Sequence, residues 1–124
     1  MTLSPPWIPV ARLAELETDG ATKTFSFRDA SGYMLDGFAI RFAGKVLAYL
    51  NRCPHLPLSL DYGDGEFFDE DKQWLVCRNH GAIFEPATGK CVAGPCCGAH
   101  LRRLNVRVVG DVVAIEAPAF QELD

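Results

Sequence analysis

The chain lacks the long apolar segments of a membrane or exported protein. No window of the 124 residues approaches the roughly 18–20 successive apolar residues that a membrane-spanning helix needs. Residues 1–7 have neither the basic start nor the apolar run of about 7–15 residues of a secretory signal. We therefore expect a soluble, cytoplasmic protein without a membrane partner. Cysteines in that compartment are more often thiols or metal ligands than disulfides.

Positive charge is scarce as well. The 12 lysines and arginines are outnumbered by 16 aspartates and glutamates, which gives a net charge of −4. A nucleic-acid-binding protein needs a basic stripe that neutralises phosphates, and Arg102, Arg103 and Arg107 are too few to form one. We therefore expect no nucleic-acid partner. A chain of 124 residues that is 48% hydrophobic can bury a core as a single globular domain, which we take to span residues 1–124.

Helical periodicity is confined to residues 10–16, which would form at most about two turns. Apolar and polar residues alternate elsewhere, for example in residues 38–42. Two β-hairpins are predicted, one in residues 104–115 with its turn at Gly110 and one in residues 84–92. The pattern predicts an all-β fold of about seven to ten short strands, arranged as a small β-sandwich or an open barrel.

An acidic segment interrupts this pattern in the middle of the chain. Its carboxylates are Asp61, Asp64, Glu66, Asp69, Glu70 and Asp71. We interpret the segment as a solvated loop, and the alternative is a docking surface for a basic partner.

Two short segments each supply one thiol and one imidazole. Cys53 and His55 are two residues apart, and Cys77 and His80 follow after a gap of 21 residues. Residues two apart in an extended segment point to the same side, and a tight turn brings residues three apart together. Each pair can therefore converge on one object. Both pairs follow apolar strand-like residues, so rigid strands would hold two facing ligand loops.

Two thiolates and two imidazoles can form a closed tetrahedral zinc site. They can also hold a 2Fe-2S cluster, with both cysteines on one iron and both histidines on the other. Zinc fingers usually pair cysteine with cysteine and histidine with histidine along the chain. Here each segment contributes one residue of each kind, which favours the iron-sulfur cluster.

These segments resemble the Rieske 2Fe-2S protein family, whose pattern is Cys-x-His followed by Cys-x-x-His. The likeness continues through residues 77–89, similar to the family's second cluster loop and its hairpin, and through Gly94-Pro95, similar to its proline loop. The resemblance implies that Cys53, His55, Cys77 and His80 bind the cluster. It also implies a β-sandwich base with an inserted cluster-binding subdomain at about residues 46–97.

Departures from the family pattern point to the soluble Rieske-type ferredoxin branch. The quinol-oxidising members carry a disulfide between the two loops and a serine after the second histidine. Leu58 and Asn79 stand at the cysteine positions here, and Ala82 stands at the serine position. Without those groups the reduced cluster is less stabilised, so we expect a potential near the lower end of the Rieske range of about −150 to +300 mV. The gap between His55 and Cys77 is longer than usual in that branch.

The resemblance implies a one-electron carrier and not an enzyme, with no catalytic residue of its own. Its partners would be an electron donor of the flavin reductase type and an acceptor such as an oxygenase. A redox-sensing or small electron-transfer subunit of a larger oxidoreductase complex is the alternative. A structural zinc module is a further one.

Other chemistry-bearing residues lie near the proline loop. Cys91, Cys96 and Cys97 are interpreted as small buried thiols, with a disulfide between Cys91 and Cys96 as the alternative. We expect His100 to be a surface or packing residue. Aromatic residues that we assign to the core or its apolar shell are Trp74, Phe84, Phe67 and Phe68.

Overall fold

The computed structural model describes residues 7–29, 32–52, 60–61, 65–78, 81–94 and 98–116. Within these residues the chain forms ten strands and one short 3₁₀ helix, so the predicted all-β fold is confirmed. The strands are β1 (Trp7–Arg12), β2 (Thr22–Arg28), β3 (Met34–Phe42), β4 (Lys45–Leu50), β5 (Leu75–Val76), β6 (Ile83–Phe84), β7 (Cys91–Ala93), β8 (Arg103–Leu104), β9 (Val106–Val109) and β10 (Val112–Glu116). The 3₁₀ helix is Leu13–Leu16.

The strands form three antiparallel sheets with a central sheet buried on both faces. The central sheet has the order β2-β3-β4-β8, and the two others have the orders β1-β10-β9 and β5-β6-β7. Because side chains alternate along a strand, Phe38 and Tyr49 face one way and Ala39 and Ala48 face the other. The first pair packs with the β5-β6-β7 sheet. The second pair packs with Val113 and its neighbours in the β1-β10-β9 sheet.

Both predicted hairpins are present. Strands β9 and β10 pair with Val109 opposite Val112, and Gly110 has the positive φ of 62° that the turn requires. Strands β6 and β7 pair with Phe84 opposite Cys91. The limits of the cluster-binding part at residues 46–97 stay a prediction.

The helix predicted for residues 10–16 is present only in its second part. Residues up to Arg12 belong to β1, which pairs with β10 through contacts such as Ile8 opposite Ile115 and Arg12 opposite Val112. Only Leu13–Leu16 is helical. A helix of about two turns gains little by itself, whereas the strand pairing buries Ile8 against a sheet.

The acidic segment is only in part the solvated loop that we predicted. Glu70 and Asp71 are exposed, but Phe67 and Phe68 are almost fully buried. The Phe67 ring stacks on Phe38 of β3, with centroids 4.0 Å apart and planes 9° from parallel. The segment therefore covers one face of the central sheet. Phe84 lies in the same core, whereas Trp74, which we expected in the core or its shell, is 40% exposed.

We predict that Phe67→Ala lowers the free energy of unfolding by about 3–5 kcal/mol, because it removes a fully buried ring and leaves a cavity. The control is Val108→Ala on β9, at a position 43% exposed, where we expect a change within about 0.5 kcal/mol. Urea denaturation followed by circular dichroism measures both. Equal effects of the two substitutions would contradict the packing described above.

Candidate metal centre

The second ligand loop is the tight connection between β5 and β6. The Cys77 N–H donates to the Ala82 carbonyl oxygen at 2.8 Å, and the Gly81 N–H donates to the Cys77 carbonyl oxygen at 2.8 Å. Gly81 has a φ of 74°, which glycine adopts without strain. Cys77 is fully buried in the core cluster that includes Phe84. The predicted ligand His80 lies outside the described residues.

Asn51 closes the base of the first ligand loop. It directly follows β4, and its side-chain oxygen accepts a hydrogen bond from the Leu60 N–H at 2.9 Å. Its side-chain Nδ2 donates to Asp61 Oδ1 at 3.0 Å. Asp61 is 7% exposed, and its other oxygen accepts from the Gly65 N–H at 3.0 Å. The predicted ligands Cys53 and His55 belong to the segment between these anchors and lie outside the described residues.

Arg78 ties the two ligand loops to each other. Its backbone N–H donates to the Leu60 carbonyl oxygen at 2.7 Å. Its guanidinium Nη2 donates to the Phe68 carbonyl oxygen at 2.8 Å, and its Nε lies 3.5 Å from the Glu66 carbonyl oxygen. The acidic segment thus holds the residue that follows Cys77. Sequence reasoning missed Arg78 and Asn51, because nothing local in the sequence indicates partners 9 to 18 residues away.

A third segment packs directly on the second ligand loop. A Cβ added to Gly94 would lie 2.7 Å from the Ala82 Cα, and the φ of Gly94 is 98°. Glycine is therefore required at this position, because a side chain would collide with backbone. Pro95, the next residue of the predicted proline loop, lies outside the described residues.

Tyr49 fastens the central sheet to the hairpin that follows the ligand loop. Its hydroxyl donates to the Pro86 carbonyl oxygen at 2.7 Å in a buried position. Burial raises the pKa of Tyr49 above its usual value, so the hydroxyl stays a donor. A Cβ on Gly89 would lie 2.9 Å from the Tyr49 ring, which leaves the ring little freedom. The base of the fold and the β6-β7 turn are joined at this point.

The remaining cysteines and His100 differ in their exposure to solvent and in whether the structure describes them. Cys91 is fully buried, and its Sγ lies 3.2 Å from the Ala93 carbonyl oxygen. Cys96 and Cys97 lie outside the described residues, so the disulfide between Cys91 and Cys96 stays a prediction. His100 is exposed and pairs through its backbone with Lys90, which confirms its place at the surface.

The described residues contain neither a metal-binding group of side chains nor a membrane-spanning helix. Among them no group of three or more His, Cys, Asp and Glu side chains could hold a metal ion, and three of the four predicted ligands lie elsewhere in the chain. The described part of the chain also has no helix that is long and apolar enough to cross a bilayer.

The observed loops fit a Rieske-type cluster. A buried cysteine stands where the hairpin loop starts, and the backbone of Cys77 is hydrogen-bonded to Ala82 and Gly81 at the end of the loop. The other ligand segment lies between Asn51 and Leu60, which are hydrogen-bonded to each other, and Leu60 is also hydrogen-bonded to Arg78. Thiolates in an apolar, hydrogen-bonded and backbone-lined site are suited to iron-sulfur binding.

The family model described as Rieske [2Fe-2S] domain matches residues 6–116. The chain therefore belongs to the Rieske family, and its cofactor is a Rieske-type 2Fe-2S cluster. A search of curated proteins gave no match.

Solved structures show the same fold. The ferredoxin of carbazole 1,9a-dioxygenase from Nocardioides aromaticivorans IC177 is 27% identical, with a TM-score of 0.68 over 90% of this chain and 98% of that chain. The terminal oxygenase of carbazole 1,9a-dioxygenase from Novosphingobium sp. KA1 is 22% identical, with a TM-score of 0.69 over 90% of this chain and 29% of that one. A chain of the reduced complex between oxygenase and ferredoxin in carbazole 1,9a-dioxygenase is 20% identical, with a TM-score of 0.69 over 90% of this chain and 28% of that one.

The comparisons confirm four predictions made from the sequence. These are the family, the all-β fold, the 2Fe-2S cluster and the electron-transfer function. This chain spans less than a third of the oxygenase chains that it matches. Because those chains are only 22% and 20% identical to this one, the similarity establishes a shared fold and nothing more.

We predict that Asn51→Ala lowers the free energy of unfolding by about 2–3 kcal/mol, because the buried Asp61 carboxylate and the Leu60 N–H each lose a partner. It should also speed the loss of the cluster, followed as the decay of visible absorbance. The matched control is Asn105→Ala, whose side chain donates to Glu116 at an exposed position. Cluster decay at the same rate in both variants would show that Asn51 does not secure the ligand loop.

We predict that Arg78→Met lowers the midpoint potential, because it removes a positive charge next to a ligand loop whose cluster gains negative charge on reduction. Arg78→Lys keeps that charge but not the fork that reaches two carbonyls. We expect the lysine variant to keep a nearly unchanged potential and to lose its cluster several-fold faster. Redox titration and absorbance decay separate the two effects. Potentials shifted equally in both variants would refute the role of the charge.

Proposed function

We propose that this protein is a soluble, cytoplasmic one-electron carrier of the Rieske-type ferredoxin kind. It takes electrons from a flavin-type reductase and delivers them to an oxygenase or a similar terminal oxidoreductase. The observation that carries the proposal is the tie between the two ligand loops, Arg78 to Leu60, inside a match to the Rieske domain over residues 6–116. Likeness to a dioxygenase ferredoxin supports the choice of partners.

We propose that Cys53 and Cys77 bind one iron and that His55 and His80 bind the other. Bound in this way, the cluster supplies a site that accepts and releases one electron. Two neutral imidazoles in place of two thiolates make the site less negative by about two charges, which eases the addition of an electron. The assignment of both cysteines to one iron follows the family pattern that the chain shares.

The described residues prepare this site in two ways. Cys77, Ala82 and Phe84 are fully buried, so water is kept from the cysteine side of the cluster. Asn51 and Arg78 fix the spacing of the two loops through hydrogen bonds. A site that is held rigid in both oxidation states needs little reorganisation when an electron enters or leaves. No catalytic residue is part of this proposal.

We expect the dithionite-reduced protein to give a rhombic electron paramagnetic resonance signal at low temperature, with an average g value below that of an all-cysteine cluster. A silent sample that contains stoichiometric zinc would overturn the proposal in favour of a structural zinc module. His55→Cys should move the signal towards the all-cysteine type or abolish it. The matched control is His100→Cys at the exposed His100, which should leave the signal unchanged.

A coupled assay tests the partners. Purified flavin reductase and the terminal oxygenase of a carbazole dioxygenase are mixed with and without this protein, and substrate oxidation is measured. Oxidation that depends on this protein supports the carrier. An intact cluster signal without transfer to any oxygenase, together with co-purification in a larger complex, would favour the alternative of a subunit in such a complex.

A further inference from the structure

Two large apolar side chains are exposed at the tip of the β2-β3 hairpin. Tyr33 is 63% exposed and Met34 is 56% exposed, the highest values for large hydrophobic residues among those that the structure describes. Hydrogen bonds join the described residues on the two sides of the tip. The Tyr33 N–H donates to the carboxylate of Asp29 at 2.9 Å, and Asp29 itself is only 6% exposed. A built turn therefore presents these side chains to the outside.

The hairpin tip lies at the end of the central sheet that carries the ligand loops. Met34 pairs with Arg28, and the Asn51 N–H donates to the carbonyl oxygen of Asp36 at 2.9 Å. The tip therefore extends past the end of β4, where the chain continues into Cys53. The second ligand loop is tied to the same end, since Arg78 is bonded to Leu60 and Leu60 to Asn51.

Three exposed arginines lie along the same edge, which we call the cluster edge. Arg28 ends β2 and donates to the Gly32 carbonyl oxygen at 2.9 Å. Arg52 follows β4 by two residues, and the carbonyl oxygen of Arg102 accepts a hydrogen bond from Leu50 at the end of β4. Carboxylates near this edge include the exposed Asp36, which accepts from the Ser26 hydroxyl, and the exposed Glu66, whose carbonyl oxygen lies 3.5 Å from the Arg78 Nε. The carboxylates of Asp29 and Asp61 are buried.

The opposite end of the sheet carries charges of both signs. Lys72 passes so close to Gly20 that a Cβ there would lie 3.1 Å from its Cγ. This contact brings the turn at residues 70–71 to the turn at residues 17–20. Exposed carboxylates in these two turns are Glu17, Asp19, Glu70 and Asp71. Lys45, Lys72 and Arg41 lie at this end as well, so the far end carries both signs of charge, whereas arginines predominate among the exposed charges of the cluster edge.

We propose that the cluster edge docks an electron-transfer partner whose contact surface carries carboxylates around an apolar depression. The inference rests on the proposed function. Arg28, Arg52 and Arg102 would pair with the carboxylates, while Tyr33 and Met34 enter the depression. Tyrosine, methionine and arginine are the residue types enriched at interfaces, and methionine adapts its shape to its partner. The exposed arginines at this edge favour its approach to a carboxylate-bearing surface.

Small redox ions test the sign of the charge at the cluster edge. The measurement is the stopped-flow rate at which the reduced protein passes one electron to ferricyanide, an anion, or to hexaammineruthenium(III), a cation. We expect the ferricyanide rate to fall as ionic strength rises, despite the net charge of −4. The ruthenium rate should rise or stay constant. The reverse pattern would overturn the proposal.

Variants locate the charge. Changing Arg28, Arg52 and Arg102 together to Gln should lower the ferricyanide rate several-fold at low salt. The control is Lys45→Gln, which removes one positive charge from the other end of β4 and should leave the rate nearly unchanged. An unchanged rate in the triple variant would refute the basic cluster edge. An unchanged electron paramagnetic resonance signal shows that each variant still holds its cluster.

The apolar pair is tested in the coupled assay with the terminal oxygenase. The double change Tyr33→Ser with Met34→Ser should raise the KM for this protein several-fold and leave kcat unchanged. The control is Val108→Ser at an exposed position of β9. Equal KM values for the two variants would refute the apolar contact. Failure of the unchanged protein to pass electrons to any oxygenase would overturn the proposed function instead.

Discussion

The hydrogen bond from the Arg78 N–H to the Leu60 carbonyl oxygen is the constraint on which the ligand site depends. A cluster with ligands from two loops can bind tightly only if those loops are held at one separation before and after the electron moves. Leu60 closes the first loop through Asn51, and Arg78 is the residue after Cys77. This one hydrogen bond therefore fixes the relative position of the two ligand loops. Their predicted ligands His55 and Cys77 are separated by 21 residues in the sequence.

The core supports this contact from below. Phe67 stacks on Phe38 of the central sheet, and the adjacent Phe68 supplies the carbonyl oxygen that accepts from the Arg78 guanidinium. Burial of the aromatic pair thus places a backbone acceptor where the ligand loop needs it. The long acidic segment gains its position from two buried phenylalanines together with the buried, hydrogen-bonded carboxylate of Asp61. Its charge remains at the turn, where Glu70 and Asp71 are in solvent.

Sequence patterns predicted those features that depend on neighbours in the chain. Alternation and turn residues predicted the β9-β10 and β6-β7 hairpins, and the spacing of cysteine and histidine predicted the family and its cofactor. Residues 10–12 were misassigned because their partner strand is β10, about a hundred residues away. The burial of Asp61 and the hydrogen bonds of Arg78 likewise depend on groups that are distant in sequence, and no sequence periodicity indicates them.

The distribution of charge also depends on the fold. Composition gives the net charge, but only the fold gives the position of each charged residue. Strand ends decide where the charged residues lie: Arg28 and Arg52 end or follow strands at the ligand-loop end, while Asp19 and Glu70 sit in turns at the other end. Lys45 and Lys72 offset part of the negative charge at that other end. At physiological ionic strength the Debye length is about 8 Å. The charges nearest the contact then outweigh the total, so the cluster edge attracts a carboxylate-bearing surface although the whole chain is acidic.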